Sequence, residues 1–192
     1  MPIPLGILAV AGAGAGGGSS FDLLETTVLG SNTATVTFSN INTYTQYEHL
    51  QLRITARSDR NSDQDTLNIR LNNDSSTTYR THILKGTGSA VESTTETFTG
   101  SFLALKIPDA TQGANIYAAA VIDLLDFSNA SKNTTMRLFG GYDNTAFVGL
   151  PEDIVLKSGL YPSAAAITQI SFLSATGSNF RTGSRFSLYG IK

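Results

Sequence analysis

Cysteine is absent from this chain of 192 residues, and charged side chains are scarce. Without cysteine the chain forms no disulfide, no thiolate metal site and no cysteine nucleophile. Charged residues make up 15% of the sequence and the formal net charge is −2, so no excess of positive charge attracts phosphate backbones. We therefore expect no nucleic-acid partner. A reducing cytoplasm is the expected place of synthesis and assembly.

A hydrophobic run of membrane-spanning length is also missing. The apolar stretch at the N-terminus ends near Ala11, and six of the first twenty residues are glycine. A membrane helix needs about 20 consecutive apolar residues. No basic residue precedes the stretch, as a secretory signal would require. We predict neither membrane insertion nor a cleaved signal.

The residue arrangements that usually carry catalysis are not found. No Gly-x-Ser-x-Gly sequence occurs, and His49 and His82 lie in predicted strands, where a satisfied or exposed histidine is the ordinary case. Asp123 and Asp126 are three residues apart on a predicted strand, so they point to opposite faces, which is unsuitable for a glycosidase pair. We predict that the chain is not an enzyme and holds no cofactor.

An acidic loop at 59–65 (DRNSDQD) carries oxygen ligands at alternate positions, like the first half of an EF-hand calcium loop. However, Gln64 stands where that loop needs glycine, and Arg70 stands where it needs glutamate. We therefore predict a solvated hairpin tip and no metal site.

The residues that are abundant favour strands and turns. The chain contains 24 Thr, 20 Ser and 12 Asn, and from Phe21 onward apolar residues recur with a period of two. This pattern predicts eleven strands, with a turn at 157–162. The strands are at 22–29, 35–39, 50–56, 67–71, 79–84, 98–105, 116–127, 134–139, 154–156, 167–173 and 185–191. Many short strands with polar turns indicate an all-β fold, an antiparallel, jelly-roll-like β-sandwich.

The chain divides at about residue 20. Residues 21–192 form the single predicted sandwich domain, whereas residues 1–20 are an extended N-terminal arm on a leash of glycine and alanine. Such an arm cannot build a core of its own, and we expect it to dock on another polypeptide. The predicted anchoring side chains are Ile3, Leu5, Ile7, Leu8 and Val10.

Four segments resemble small structural proteins of tailed bacteriophages, especially phages of marine bacteria and cyanobacteria. They are residues 4–9 (PLGILA), 21–29 (FDLLETTVL), 47–53 (YEHLQLR) and 183–192 (GSRFSLYGIK). The resemblance implies a virion component assembled in the host cytoplasm, either a capsid decoration (cement) protein or a tail or fibre module. It implies no catalytic residues.

The expected partners follow from this interpretation. They are further copies of the chain, most simply in a homotrimer, and the major capsid or tail proteins of the same virion. The alternative is a tail or fibre module that binds a carbohydrate on the host surface. Tyrosines near strand ends can stack on sugar rings. The candidate glycan contacts are Tyr44, Tyr47 and Tyr79.

Overall fold

A computed structural model describes residues 20–62, 64–143 and 154–192. These residues form twelve β-strands, and their only helical element is a 3-10 turn, Ile41–Thr43. The strands are β1 (Phe21–Val28), β2 (Thr35–Ser39), β3 (His49–Ala56), β4 (Asp65–Leu71), β5 (Thr78–Gly86), β6 (Val91–Thr99), β7 (Phe102–Ile107), β8 (Ala118–Leu125), β9 (Thr134–Gly141), β10 (Ile154–Tyr161), β11 (Gln169–Ser174) and β12 (Arg185–Ile191).

Two antiparallel sheets pack face to face, which confirms the predicted β-sandwich. The large sheet has the strand order β1-β12-β3-β8-β9-β10-β5-β6, and the small sheet has the order β2-β11-β4-β7. The chain crosses repeatedly between the sheets, as in a jelly-roll-like winding.

The alternation in the sequence creates the core. In β3, Leu50, Leu52 and Ile54 are buried while the residues between them are partly or fully exposed. A cluster of phenylalanine rings joins the two sheets. Phe172 of the small sheet lies 4.9 Å from Phe186 of the large sheet, measured between ring centroids. Since a strand with one buried face must alternate, the period of two identified most of these strands correctly.

The two edges of the large sheet differ from its interior. Among the described strands, β1 pairs only with β12, and the ladder contains a bulge between Leu23 and Glu25. Among the same strands, β6 pairs only with β5, and eight of its nine residues are exposed. Most of strand β6 was missed in the sequence because seven of its nine side chains are polar. The predicted strand 98–105 is in fact the end of β6 and the start of β7, separated at Gly100, which has φ 84°.

The predicted turn at 157–162 is wrong. Strand β10 continues through Gly159 to Tyr161 and pairs there with both β5 and β9. Glycine is needed at 159 for a close approach rather than for a turn, because a Cβ atom built there would lie 2.3 Å from Cε2 of Phe102. The ring of a small-sheet strand therefore rests directly on the backbone of β10.

Asp74 ties the loop between β4 and β5 to β10. Its carboxylate accepts hydrogen bonds from the side-chain hydroxyl and backbone N–H of Thr77, from both groups of Ser76, and from the hydroxyl of Tyr161 at 3.0 Å. The pKa of Asp74 is held well below its usual value of 3.8. The largest cause is the hydrogen bond from the Thr77 hydroxyl, and the bonds from Ser76 add to it.

This lowered pKa predicts a loss of stability in acid. A carboxylate with a lower pKa in the folded state stabilises the fold above its unfolded pKa, and this contribution disappears as the pH falls toward the folded value. Asp74→Asn is therefore expected to be less stable than wild type at pH 7, with a difference that shrinks below about pH 4. Urea unfolding between pH 2 and pH 7 measures it, and a difference that stays constant with pH would contradict the assignment.

Candidate functional site

A row of exposed apolar side chains crosses the outer face of the large sheet, the face turned away from the small sheet. Val121, Phe139, Leu156 and Leu84 stand directly opposite one another on β8, β9, β10 and β5. Their exposed fractions are 40%, 57%, 52% and 48%. We call these four residues the apolar row. An apolar surface that continues over four strands is typical of an interaction site rather than of ordinary protein surface.

A groove of about 790 Å³ runs beside the apolar row. Small residues form its floor, because Ala119, Gly141 and Gly86 occupy the next register position on β8, β9 and β5. Ile154 of β10 lies in the same register row and is 57% exposed. The groove is thus shallow over the glycines and bounded on one side by Val121 and Phe139, a shape suited to an extended apolar segment.

Arginine closes one end of the groove. The guanidinium of Arg53 lies 4.2 Å from the ring centroid of Tyr189 and 5.1 Å from that of Phe21. Its Nε donates a hydrogen bond of 2.9 Å to the side-chain oxygen of Gln51. Arg53 is held in place by these contacts and forms one rim of the groove. Besides apolar and small residues, the lining includes the charged residues Arg185 and Asp143 and the tyrosines Tyr142 and Tyr189.

The sequence does contain a signal for this surface. Each residue of the apolar row is adjacent to a buried apolar residue, in the pairs Val121-Ile122, Leu138-Phe139, Val155-Leu156 and Ile83-Leu84. In a strand with only one buried face, apolar and polar residues alternate. A doublet, meaning two adjacent apolar residues, therefore places an apolar side chain on each face of the sheet. Four doublets on four neighbouring strands indicate a surface that is covered in the working state.

The predicted anchoring residues lie outside the residues that the structure describes. They are Ile3, Leu5, Ile7, Leu8 and Val10. The described part of the chain begins at Ser20, immediately before β1. The arm therefore leaves the domain at an edge of the same large sheet that carries the apolar row.

The three tyrosines proposed as glycan contacts occupy different places. Tyr79 is 1% exposed and stacks on Tyr161 with ring centroids 5.1 Å apart, and its burial raises its pKa. Tyr47 is also buried, with its hydroxyl donating to Asp22 at 2.9 Å. Tyr44 is half-buried and packs against the core. Because rings that fill a core offer no face to a sugar, the prediction is corrected for Tyr47 and Tyr79.

The acidic residues are engaged by donors of the protein itself. Asp123 accepts a hydrogen bond of 2.9 Å from Gln51 and lies 3.6 Å from Arg137. Asp126 follows β8 with φ 53°, and its hydrogen bond with Lys132 at 2.5 Å lowers its pKa. Asp126 lies beyond the end of β8 rather than on the strand, so the opposite-face spacing predicted for the two aspartates does not describe its position.

Glu48, His49 and Asp126 are close enough to share a metal ion. However, Nδ1 of His49 already accepts the backbone N–H of Asp126 at 3.0 Å, and the Asp126 carboxylate is paired with Lys132. Nδ1 of His49 and the carboxylate of Asp126 are therefore already engaged by groups of the protein.

The loop at 59–65 was predicted to be a solvated hairpin tip, but the residues at its two ends are hydrogen-bonded to other parts of the domain. Asp59 accepts hydrogen bonds from the backbone and side chain of Asn179 at 2.8 and 2.9 Å. Asp65 is buried, and its carboxylate accepts from the hydroxyls of Ser58 at 2.6 Å and Ser174 at 2.7 Å. Protein donors fill the places that calcium would take, and these aspartates fasten the loop to the strands around it.

In the part of the chain that the structure describes, there is no helix of the length and apolar character needed to cross a membrane. No protein family, curated protein or solved structure matches the chain in comparisons of sequence and fold.

Proposed function

We propose that this chain is a non-enzymatic structural subunit of a tailed-phage virion, most simply a capsid decoration protein that docks through its N-terminal arm and stabilises the particle. The apolar row on the outer face of the large sheet is the observation that carries the proposal. A free monomer would leave this row in water, where each exposed apolar side chain forgoes roughly 1.5–3 kcal/mol of burial energy. Coverage by another polypeptide explains its presence.

The polar chemistry of the described residues supports a structural role. The carboxylates of Asp65, Asp59 and Asp126 already accept hydrogen bonds or an ion pair from other groups of the protein. The apolar row and the groove beside it have no role in the packing of the domain, and the arm carries no charged side chain. The resemblance to phage structural proteins supports a virion as the assembly in question.

Deleting residues 2–18 tests this function. The remaining chain is expected to fold with an unchanged circular dichroism spectrum and unfolding midpoint, because the core of the sandwich is formed by buried residues from Leu29 to Leu188. It is expected to be monomeric by light scattering and absent from purified particles, whereas the full chain is oligomeric and present in them. Unchanged oligomeric size together with unchanged particle occupancy would refute the proposal.

The alternative, a tail module that binds host carbohydrate, lacks a matching observation among the described residues. Two of its three proposed tyrosines are buried. Of the rings that line the groove, Phe139 has no hydroxyl to orient a sugar, and Tyr142 and Tyr189 are partly buried. A glycan array separates the two functions, since specific sugar binding by the full chain would favour the tail module.

A further inference from the structure

We infer that the groove on the large sheet receives the N-terminal arm of a neighbouring copy of this chain. The inference rests on the proposed function and states where the arm docks and on which partner. It follows from the length and composition of the segment preceding Ser20, from the point where that segment joins the domain, and from the shape of the groove.

The arm and the groove agree in length and in chemistry. Residues 3–10 span about 23 Å when extended, at roughly 3.3 Å per residue. The groove crosses six strands, β12 to β5 in the order of the large sheet, which is about 24 Å at roughly 4.8 Å per strand. The arm carries no charged side chain, and Val121, Phe139 and Ile154 are the large exposed apolar side chains beside the groove.

The prolines of the arm indicate docking on the face of the sheet rather than at its edge. Pro2 and Pro4 have no backbone N–H, so a strand containing them donates poorly to a ladder. On the face of the large sheet, the backbone groups of the interior strands are already paired with their neighbours. Docking there uses side-chain packing alone, which is what Ile3, Leu5 and Ile7 on alternate positions supply.

The groove begins close to the point where the arm joins the domain. The guanidinium of Arg53, which lines the groove, lies 5.1 Å from the ring centroid of Phe21, the first residue of β1. A copy packed beside this end of the groove can therefore insert its arm as readily as the copy that carries the groove. The choice of a neighbouring copy rests on the second apolar surface, which a contact between copies would cover.

A second apolar surface lies where the arm leaves the domain. Phe21 and Leu23 of β1 are exposed on the same outer face. A copy that places its β1 edge beside the groove of the next copy covers both surfaces and brings its arm to that groove. Such a head-to-tail contact closes into a ring, such as the predicted trimer, when the rotation between copies is a whole fraction of a turn, and otherwise it continues as an open filament.

Engineered disulfides test the inference, since the chain has no cysteine of its own. Leu5→Cys and Ala119→Cys chains with different affinity tags are co-expressed and oxidised, and the matched control replaces Ala119→Cys by Thr97→Cys on the exposed edge strand β6. We expect a disulfide-linked dimer of the two tags as the predominant species with Ala119→Cys and only a trace with Thr97→Cys. Thermal unfolding of each variant verifies that it folds.

Two results would overturn the inference. Cross-linking only within a chain that carries both Leu5→Cys and Ala119→Cys would show the arm in its own groove. No cross-link above the Thr97→Cys control would show that the groove holds something else. If deletion of residues 2–18 still abolishes assembly in either case, the proposed function stands and only the docking site is wrong. If that deletion has no effect, the proposed function itself fails.

Discussion

Replacing Phe186 by alanine is expected to lower the free energy of unfolding by about 3–5 kcal/mol. Phe186 is fully buried on β12, and its ring centroid lies 4.9 Å from Phe172 of the small sheet and 5.1 Å from Phe180. The substitution removes the contact between the two sheets and leaves a cavity that rigid strands on both sides cannot fill. Urea unfolding at pH 7 measures the loss.

Phe139 provides the matched control, because it is the same residue type on the opposite side of the same sheet. Phe139→Ala is expected to change the free energy of unfolding by no more than about 0.5 kcal/mol, since the side chain is exposed in the monomer. The same substitution is expected to weaken self-association of the folded protein. Phe186→Ala is expected to affect self-association only by increasing the unfolded fraction. A large stability loss in Phe139→Ala, or none in Phe186→Ala, would show that the two faces of the large sheet have been assigned the wrong way round.

The second large effect is expected at Asp65. Replacing this residue by alanine removes the acceptor of two buried hydroxyls, of Ser58 and Ser174, and of the Thr66 backbone N–H at 2.7 Å. Each buried donor left without an acceptor costs about 1–3 kcal/mol, and partial re-pairing among the hydroxyls reduces the sum, so we expect a loss of roughly 2–4 kcal/mol.

Asp65→Asn distinguishes hydrogen bonding from packing. The amide keeps one acceptor oxygen and nearly the same volume, so it is expected to retain more than half of the stability that Asp65→Ala loses. Chemical unfolding of both variants at pH 7 gives the comparison. Equal losses in the two variants would mean that the negative charge, rather than the acceptor atoms, stabilises the site.

The strands that bury one face could be predicted from the sequence. Strands β2 and β3 alternate because a single register places every apolar residue toward the core. Strand β6 could not be predicted from its side chains, because most of them are polar and exposed. It is held in the sheet by backbone hydrogen bonds to β5. The continuation of β10 through Gly159 was also hidden, since the reason for glycine is a ring that comes from Phe102, far away in the sequence.

The candidate site was only partly predictable. The arm is visible in the sequence because its composition differs so strongly from the rest of the chain. The groove depends on strand order, since doublets such as Val121-Ile122 and Leu138-Phe139 form one surface only when β8 and β9 are neighbours. The role of Asp65 was hidden for a similar reason, because its partner Ser174 is 109 residues away. Local pattern alone favoured a solvated loop.

The outermost strands of the large sheet bear on how copies of this protein aggregate. The bulge in β1 distorts one margin, and the glutamates of β6 charge the other, so neither offers a flat, uncharged template for further strands. Side-by-side growth into filaments by strand addition is therefore disfavoured even at high protein concentration.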